Sequence, residues 1–211
     1  MRSAFALALA VAVALGAGCA GDGGKRAAAG ESAAACPRTW RPGWQKLANR
    51  IDAPVYCPRW MPNPLDGEIG GSWSDIESVD RDRSYLMSFL WHEAGAAGGD
   101  VHVNFRGYPG RTRIPRCTEV NTVAGVTRRR SIPCFSDNQG QKQLGRLRVT
   151  VYTVNQDADQ WHLLYAWRRD GTLYTVSQHV APPLTYRKVV ESLDRITRGL
   201  ALVVPRAARN D

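Results

Sequence analysis

Three of the four histidines lie on runs that alternate apolar and polar residues, and two of them can be placed opposite each other from spacing alone. Residues 161–169 and 172–180 both alternate, with Asp170-Gly171 between them. Asp-Gly between two such runs is a strong hairpin cue. With those residues as the loop, paired positions sum to 341. Trp167 then faces Tyr174, Tyr165 faces Val176, and Trp161 faces Val180, which makes one apolar face. On the other face His162 opposes His179. Directly opposed Cβ atoms lie ~5 Å apart, so the two imidazoles can share a metal, or repel when protonated below about pH 6.5. His102 sits on the polar side of its own alternating run, 101–106, and is the candidate third ligand. No carboxylate or cysteine completes a ligand set at readable spacing. Solvated strand histidines are therefore the first expectation, with His102, His162 and His179 as the possible metal set. No other cofactor is expected.

Arginines form the second group. Arg111, Arg113 and Arg116 precede Cys117, and Arg128, Arg129 and Arg130 precede Cys134. A Cys117–Cys134 bond would gather both groups into an anion-binding or membrane-facing patch. The plainer expectation is a solvated loop in an arginine-rich chain, in which arginine outnumbers lysine 24 to 4. Of the seven tryptophans, Trp91, Trp161 and Trp167 read as core. Trp40, Trp44, Trp60 and Trp73 fall in less regular segments. They either line a groove for an apolar or glycan ligand or pack beneath loops. No G-x-S-x-G, H-E-x-x-H, Walker or G-x-G-x-x-G pattern in a strand–helix setting is present. Asp157 and Asp159 have a calcium-like spacing but lack the EF-hand loop's Gly and terminal Glu. No catalytic residue is assigned, and no enzyme is expected.

The chain begins Met1-Arg2-Ser3, continues with an apolar run from Ala4 to Leu15, and then reads Gly16-Ala17-Gly18-Cys19. This order predicts a secretory signal peptide over 1–18. A transmembrane helix needs about 20 apolar residues, more than this run supplies. Cysteine directly after small residues resembles the lipobox of bacterial lipoproteins, with Gly16 where that pattern usually has Leu. The resemblance implies acyl chains (palmitate among them) on Cys19 and a protein held on the outer face of the cell membrane. The alternative is cleavage by a general signal peptidase and free secretion. Export leaves Cys36, Cys57, Cys117 and Cys134 for two disulfides. Three connectivities are possible. Cys36–Cys57 with Cys117–Cys134 is preferred because each bond closes a local loop. Residues 19–35, small and polar, read as a lipidated flexible tether. The net charge of +9 suits anionic headgroups or wall polymers, whereas nucleic-acid binding has no motif and conflicts with export.

The elements that must position these residues follow. Pro42 opens a short helix with Trp44, Leu47, Ala48 and Ile51 on one face. Residues 53–64 contain four prolines, which forbid helix and internal strand and predict an extended lead-in. Residues 84–92 have apolar residues on both faces and read as a central strand. Residues 101–106 and 148–154 complete the clear strands, and 69–79 is a fainter one. A closing amphipathic helix runs from about Thr185 to Leu202. The fold class is α+β: a curved antiparallel sheet of about six or seven strands packed by the C-terminal helix. The domain spans 36–205, and 206–211 is a disordered tail.

Val55-Tyr56-Cys57-Pro58-Arg59-Trp60-Met61-Pro62 looks like the entry segment of uncharacterised exported domains. Trp167-Arg-Arg-Asp-Gly-Thr-Leu-Tyr174 and the closing helix look like their end. Together they are similar to bacterial lipoproteins of LolA/RseB-like architecture, in which a curved sheet embraces a helix. That resemblance implies a concave apolar face able to hold a lipid, peptide or partner, and no chemistry. The expected function is a non-catalytic membrane-anchored lipoprotein that binds an envelope component, apolar ligand or partner protein. The alternatives are a lipid carrier or sensor with a sheet–helix cavity, and a secreted enzyme.

Overall fold

The computed structural model describes residues 35–63, 65, 78–92, 100–156, 162–182 and 184–206, and of residues 91, 92, 100 and 101 the backbone alone. The predicted signal peptide, Cys19, most of the tether, Trp73, Trp161, Asp157, Asp159 and the tail beyond 206 lie outside them. In chain order the elements are α1 (Arg41–Ile51), β1 (Val55–Cys57), β2 (Ser78–Val79), β3 (Tyr85–His92), β4 (Asp100–Tyr108), β5 (Arg116–Val123), β6 (Val126–Pro133), β7 (Phe135–Leu144), β8 (Leu147–Asn155), β9 (His162–Arg169), β10 (Thr172–His179), α2 (Tyr186–Arg198) and β11 (Ala201–Val203). The class is α+β: the described residues form two helices and a seven-stranded antiparallel sheet ordered β2-β3-β4-β10-β9-β8-β7, with two small two-stranded sheets, β1-β11 and β5-β6.

The β9–β10 hairpin has the register read from the sequence, Trp167 on Tyr174, Tyr165 on Val176 and His162 on His179. Its loop residues Asp170 and Gly171 both have positive φ, +48° and +74°. A two-residue turn of this kind needs that conformation at both positions. Beside it, Gly107 of β4 pairs with both Tyr85 and Tyr174. A Cβ at Gly107 would stand 2.2 Å from the Tyr85 ring, so only glycine lets that ring lie across the strand.

One sheet face carries the apolar core. Met87, Phe89, Val103, Phe105, Val151, Tyr165, Trp167 and Val176 are buried there, in one cluster with Trp44, Leu47 and Ile51 of α1 and Val189, Leu193 and Ile196 of α2. The rings pack at edge geometry, Trp44 to Phe105 at 5.6 Å and Phe89 to Phe105 at 5.8 Å. Thr185 caps α2 by accepting the Lys188 N–H.

Two disulfides form, Cys36–Cys57 and Cys117–Cys134. They are the preferred pair of local closures.

Several expectations are corrected. Among the described residues β3 is not central: only the two-residue β2 lies outside it. The closing helix stops at Arg198, where the Gly199 N–H donates to the carbonyls of Arg195 and Ile196 and the Leu200 N–H to that of Thr197. The apolar residues after it form β11 instead and pair with β1. Part of the proline-rich lead-in is thus a strand, because Pro54 and Pro58 flank β1 rather than interrupt it. Residues 116–144, not read as strands, form β5, β6 and β7.

Candidate functional site

The face of the sheet opposite the apolar core is also buried: part of it holds a smaller apolar cluster that includes Tyr108, Tyr152, Leu164, Ala166 and Leu173, and the rest is polar. Alternation along β3, β4, β10 and β9 sets the pattern. Ser88 and Ser177 flank Asn104, and Leu86 and Thr175 flank Arg106. Continuing the β4–β10 register by one residue brings His102 beside His179, which faces His162. Ser88, Asn104, Thr175, Ser177 and His162 are all buried, His162 at 1% exposure. The expectation of solvated histidines is therefore corrected for His162.

The three imidazoles form one cluster. Ring centroids of His102 and His162 are 4.3 Å apart, those of His102 and His179 4.9 Å, and those of His162 and His179 5.3 Å. Nε2 of His162 lies 2.5 Å from Nε2 of His102, and Nδ1 of His162 lies 3.2 Å from Ser177 Oγ. Between two imidazole nitrogens at that distance, one carries the proton and donates it to the other. Burial, then the neighbouring His102, His179 and Arg106, push the His162 imidazolium down to about 2. His162 is thus a neutral ring at neutral pH.

The chemistry available is that of a hydrogen-bonded imidazole chain, which stores and passes protons. Two nitrogens on one tetrahedral metal at 2.0–2.1 Å would stand ~3.3 Å apart. Here one pair is closer, and His179 stacks on both other rings at interplanar angles of 29° and 23° instead of turning its nitrogens inward. Among the described residues no group of three or more His, Cys, Asp or Glu is set to hold a metal. A serine next to a histidine is also the pair that nucleophilic catalysis uses. Ser177, however, is buried.

The arginines separate into two places. Arg106, Arg111 and Arg116 line a cavity of about 170 Å³ beside the Cys117–Cys134 bond, together with Asp80, Asp82 and Ser84. Arg111 pairs with Asp82 at 2.7 Å. Hydrogen bonds from Ser84, then that arginine, hold the Asp82 carboxyl below the usual range. Arg113 joins Arg111 and Arg116 around a neighbouring opening. Arg128, Arg129 and Arg130 stand elsewhere. They pair with Asn121, Val120 and Glu119 along the β5–β6 ribbon, ~10–17 Å from its base at ~3.4 Å per residue. Alternation turns Arg129 away from Arg128 and Arg130, and Arg130 is bonded to Glu119. The single gathered arginine patch is therefore corrected: the disulfide collects the first group at the base of the ribbon, and the strand carries the second away.

Of the tryptophans expected to line a groove, three are described. Trp40 and Trp44 are core residues, and Arg195 covers the half-buried Trp60 ring at 3.9 Å.

One polar cluster escaped sequence reading. Tyr165 OH donates to Asp194 Oδ1 at 2.7 Å, and Lys142 Nζ reaches the same carboxylate at 3.1 Å and the phenol oxygen at 3.0 Å. Burial, then Asp194, raise the Tyr165 phenol well above its ordinary value. The cluster ties β7, β9 and α2 together. Lys142 gave no signal because its strand has no apolar alternation. Compared with protein families, curated proteins and solved structures, the chain matches none.

Proposed function

We propose that this chain is a non-catalytic, membrane-anchored lipoprotein, held by acylated Cys19 on the outer face of the cell membrane, that binds a protein partner of the envelope. The observation that carries the reading is the β5–β6 ribbon. It belongs to no larger sheet, and nearly every residue of both strands is exposed. Its end carries Val120, Val123 and Val126 at 53, 68 and 59% exposure. Val123 and Val126 are cross-strand partners, so they form one apolar tip. The ribbon bears four arginines against one glutamate, which favours an acidic partner surface. Its base is fixed by Cys117–Cys134, so the tip is presented on a stiff stem.

Nothing favours the carrier alternative. The space between sheet and helices is filled by Trp44, Phe105, Tyr165, Leu193 and Ile196, all fully buried. The burial of Ser177 beside the histidine cluster speaks against a nucleophile there.

A photo-crosslinking residue placed at Val123 in cells tests the reading, with one at exposed Arg146 as control. A discrete protein adduct from position 123 alone, weakened by Val126→Glu, is expected. Absence of an adduct defeats the ribbon as the binding element. Cys19 without acyl mass, in a protein recovered outside the membrane fraction, defeats the anchor.

A further inference from the structure

The second strongly charged surface is not on the ribbon. α1 buries Trp44, Leu47, Ala48 and Ile51, and its opposite face borders an open groove of about 790 Å³. Five cationic side chains line it: Arg38, Arg41, Lys46, Arg50 and Arg206. None of its lining residues is acidic. The groove is built by hydrogen bonds. Gln45 Nε2 donates to the Val204 carbonyl at 2.8 Å, and the Arg206 N–H donates to Asn49 Oδ1 at 2.9 Å. These bonds lay the segment after β11 along the helix, which brings Arg206 to the α1 arginines. Leu202 and Val204, at 36 and 54% exposure, give the same end of the molecule an apolar shoulder.

We propose that this cationic groove is a headgroup-binding face that seats the domain on an anionic lipid bilayer. Three observations converge on that occupant. Charge is the first: basic residues close to an anionic leaflet contribute ~1 kcal/mol each, and five line this groove. The second is the mixture of cations with exposed leucine and valine, which suits the boundary between headgroups and acyl chains. The third is where the chain enters. Cys36, bonded to Cys57, is only two residues from Arg38. Sixteen residues separate Cys36 from Cys19, a reach of at most ~60 Å at ~3.3–3.6 Å per residue. In the lipoprotein reading the groove is therefore the part of the domain nearest the anchor along the chain, and attachment raises the local concentration of headgroups around it. The ribbon's valine tip is left for the partner.

The inference extends the anchored-lipoprotein reading but is tested without it. The chain from residue 20 onward, lacking both signal and acyl group, is sedimented with vesicles of phosphatidylcholine alone and of phosphatidylcholine with phosphatidylglycerol. Binding to the anionic vesicles only is expected. Arg41→Gln with Lys46→Gln and Arg50→Gln weakens it about 100-fold, at roughly fivefold per cation. Arg128→Gln with Arg129→Gln and Arg130→Gln removes the same charge from the ribbon and leaves it within about threefold. If the α1 triple variant melts early, Lys46→Glu alone serves, with about a 30-fold loss expected. No binding to anionic vesicles overturns the proposal. So does an equal loss from both triple variants, which would mean general charge attraction. Displacement by inorganic phosphate, but not by chloride at matched ionic strength, also overturns it, because the groove would then be a small-anion site. Failure of acylation at Cys19 would defeat the anchor and leave this result standing.

Discussion

The two faces of the seven-stranded sheet are both buried, but they are filled on opposite principles. On one, Phe105, Tyr165, Val176 and Leu193 belong to a large cluster of apolar and aromatic side chains. On the other, Ser88, Asn104, Thr175, Ser177 and His162 are buried beside a smaller apolar cluster that includes Tyr108, Leu164, Ala166 and Leu173. Burying apolar area contributes ~25 cal/mol per Å², whereas a buried polar group contributes little net and costs much if its partner goes. The apolar face therefore supplies most of the stability. The polar face supplies sensitivity, to pH above all, because its histidine cannot be charged cheaply. A protein built for stability alone would not place three of its four histidines there.

The largest effect expected is on the apolar face. Phe105 touches Trp44 and Phe89 and is about 1% exposed. Phe105→Ala should cost about 4 kcal/mol in urea unfolding, since it removes a large ring and leaves a cavity among other rings. A cost under about 2 kcal/mol would mean that this face is not the main source of stability. Next come the disulfides. One staples the chain beside the core helix and the other the base of the ribbon, with sequence separations of 21 and 17. Loop-closure entropy depends weakly on length, so each Cys→Ser pair should lower stability by about 3 kcal/mol, and nearly equally. A clear inequality would show that one closed loop keeps structure when the chain unfolds.

How much of this was legible depended on whether a strand announces itself by alternation. The β9–β10 hairpin did, through Asp170-Gly171 and its aromatic face, and the His162–His179 pair followed from register alone. His102 was on the correct side of β4. That it reaches His162 was not legible, because β4 pairs with β10 from 65 or more residues away in sequence. Nor was the burial of the polar face, since alternation reports polarity and says nothing of what covers it. β5 and β6 were invisible for a different reason: Thr, Asn, Glu and Arg give no apolar stripe, and the ribbon stands on its backbone ladder and a disulfide. β11 was misread because Leu200 and its neighbours continue the spacing of α2, while Gly199 ends the helix first.

Acid should separate the two faces next. The unfolded chain takes up a proton on histidine near pH 6.5, and the folded His162 resists it down to about 2. A depressed folded value means that stability is full above about pH 6.5 and falls as pH drops from there toward 2. Between pH 7 and pH 5 the loss from His162 alone should be about 2 kcal/mol. His162→Gln should flatten that part of the profile, while Phe105→Ala should lower the whole curve with its slope kept. If His162→Gln leaves the slope unchanged, another group carries the acid response.

The smallest effect probes the polar face without charge. Ser88 Oγ donates to Asn104 Oδ1 at 2.6 Å across the β3–β4 pair, both residues being buried. Ser88→Ala removes only an oxygen, so little area or packing is lost. It leaves the asparagine oxygen short of a donor in a dry place, which should cost about 1 kcal/mol. Ser88→Ala with Asn104→Leu removes the demand together with the supply, and should recover part of that loss. The same logic applied to the apolar face gives the opposite sign, since truncating two touching rings there only enlarges the cavity. A double variant worse than Ser88→Ala alone would show that Asn104 does more than satisfy its neighbour, and would place it, with Ser177 and the histidines, in a network whose members are not exchangeable for packing.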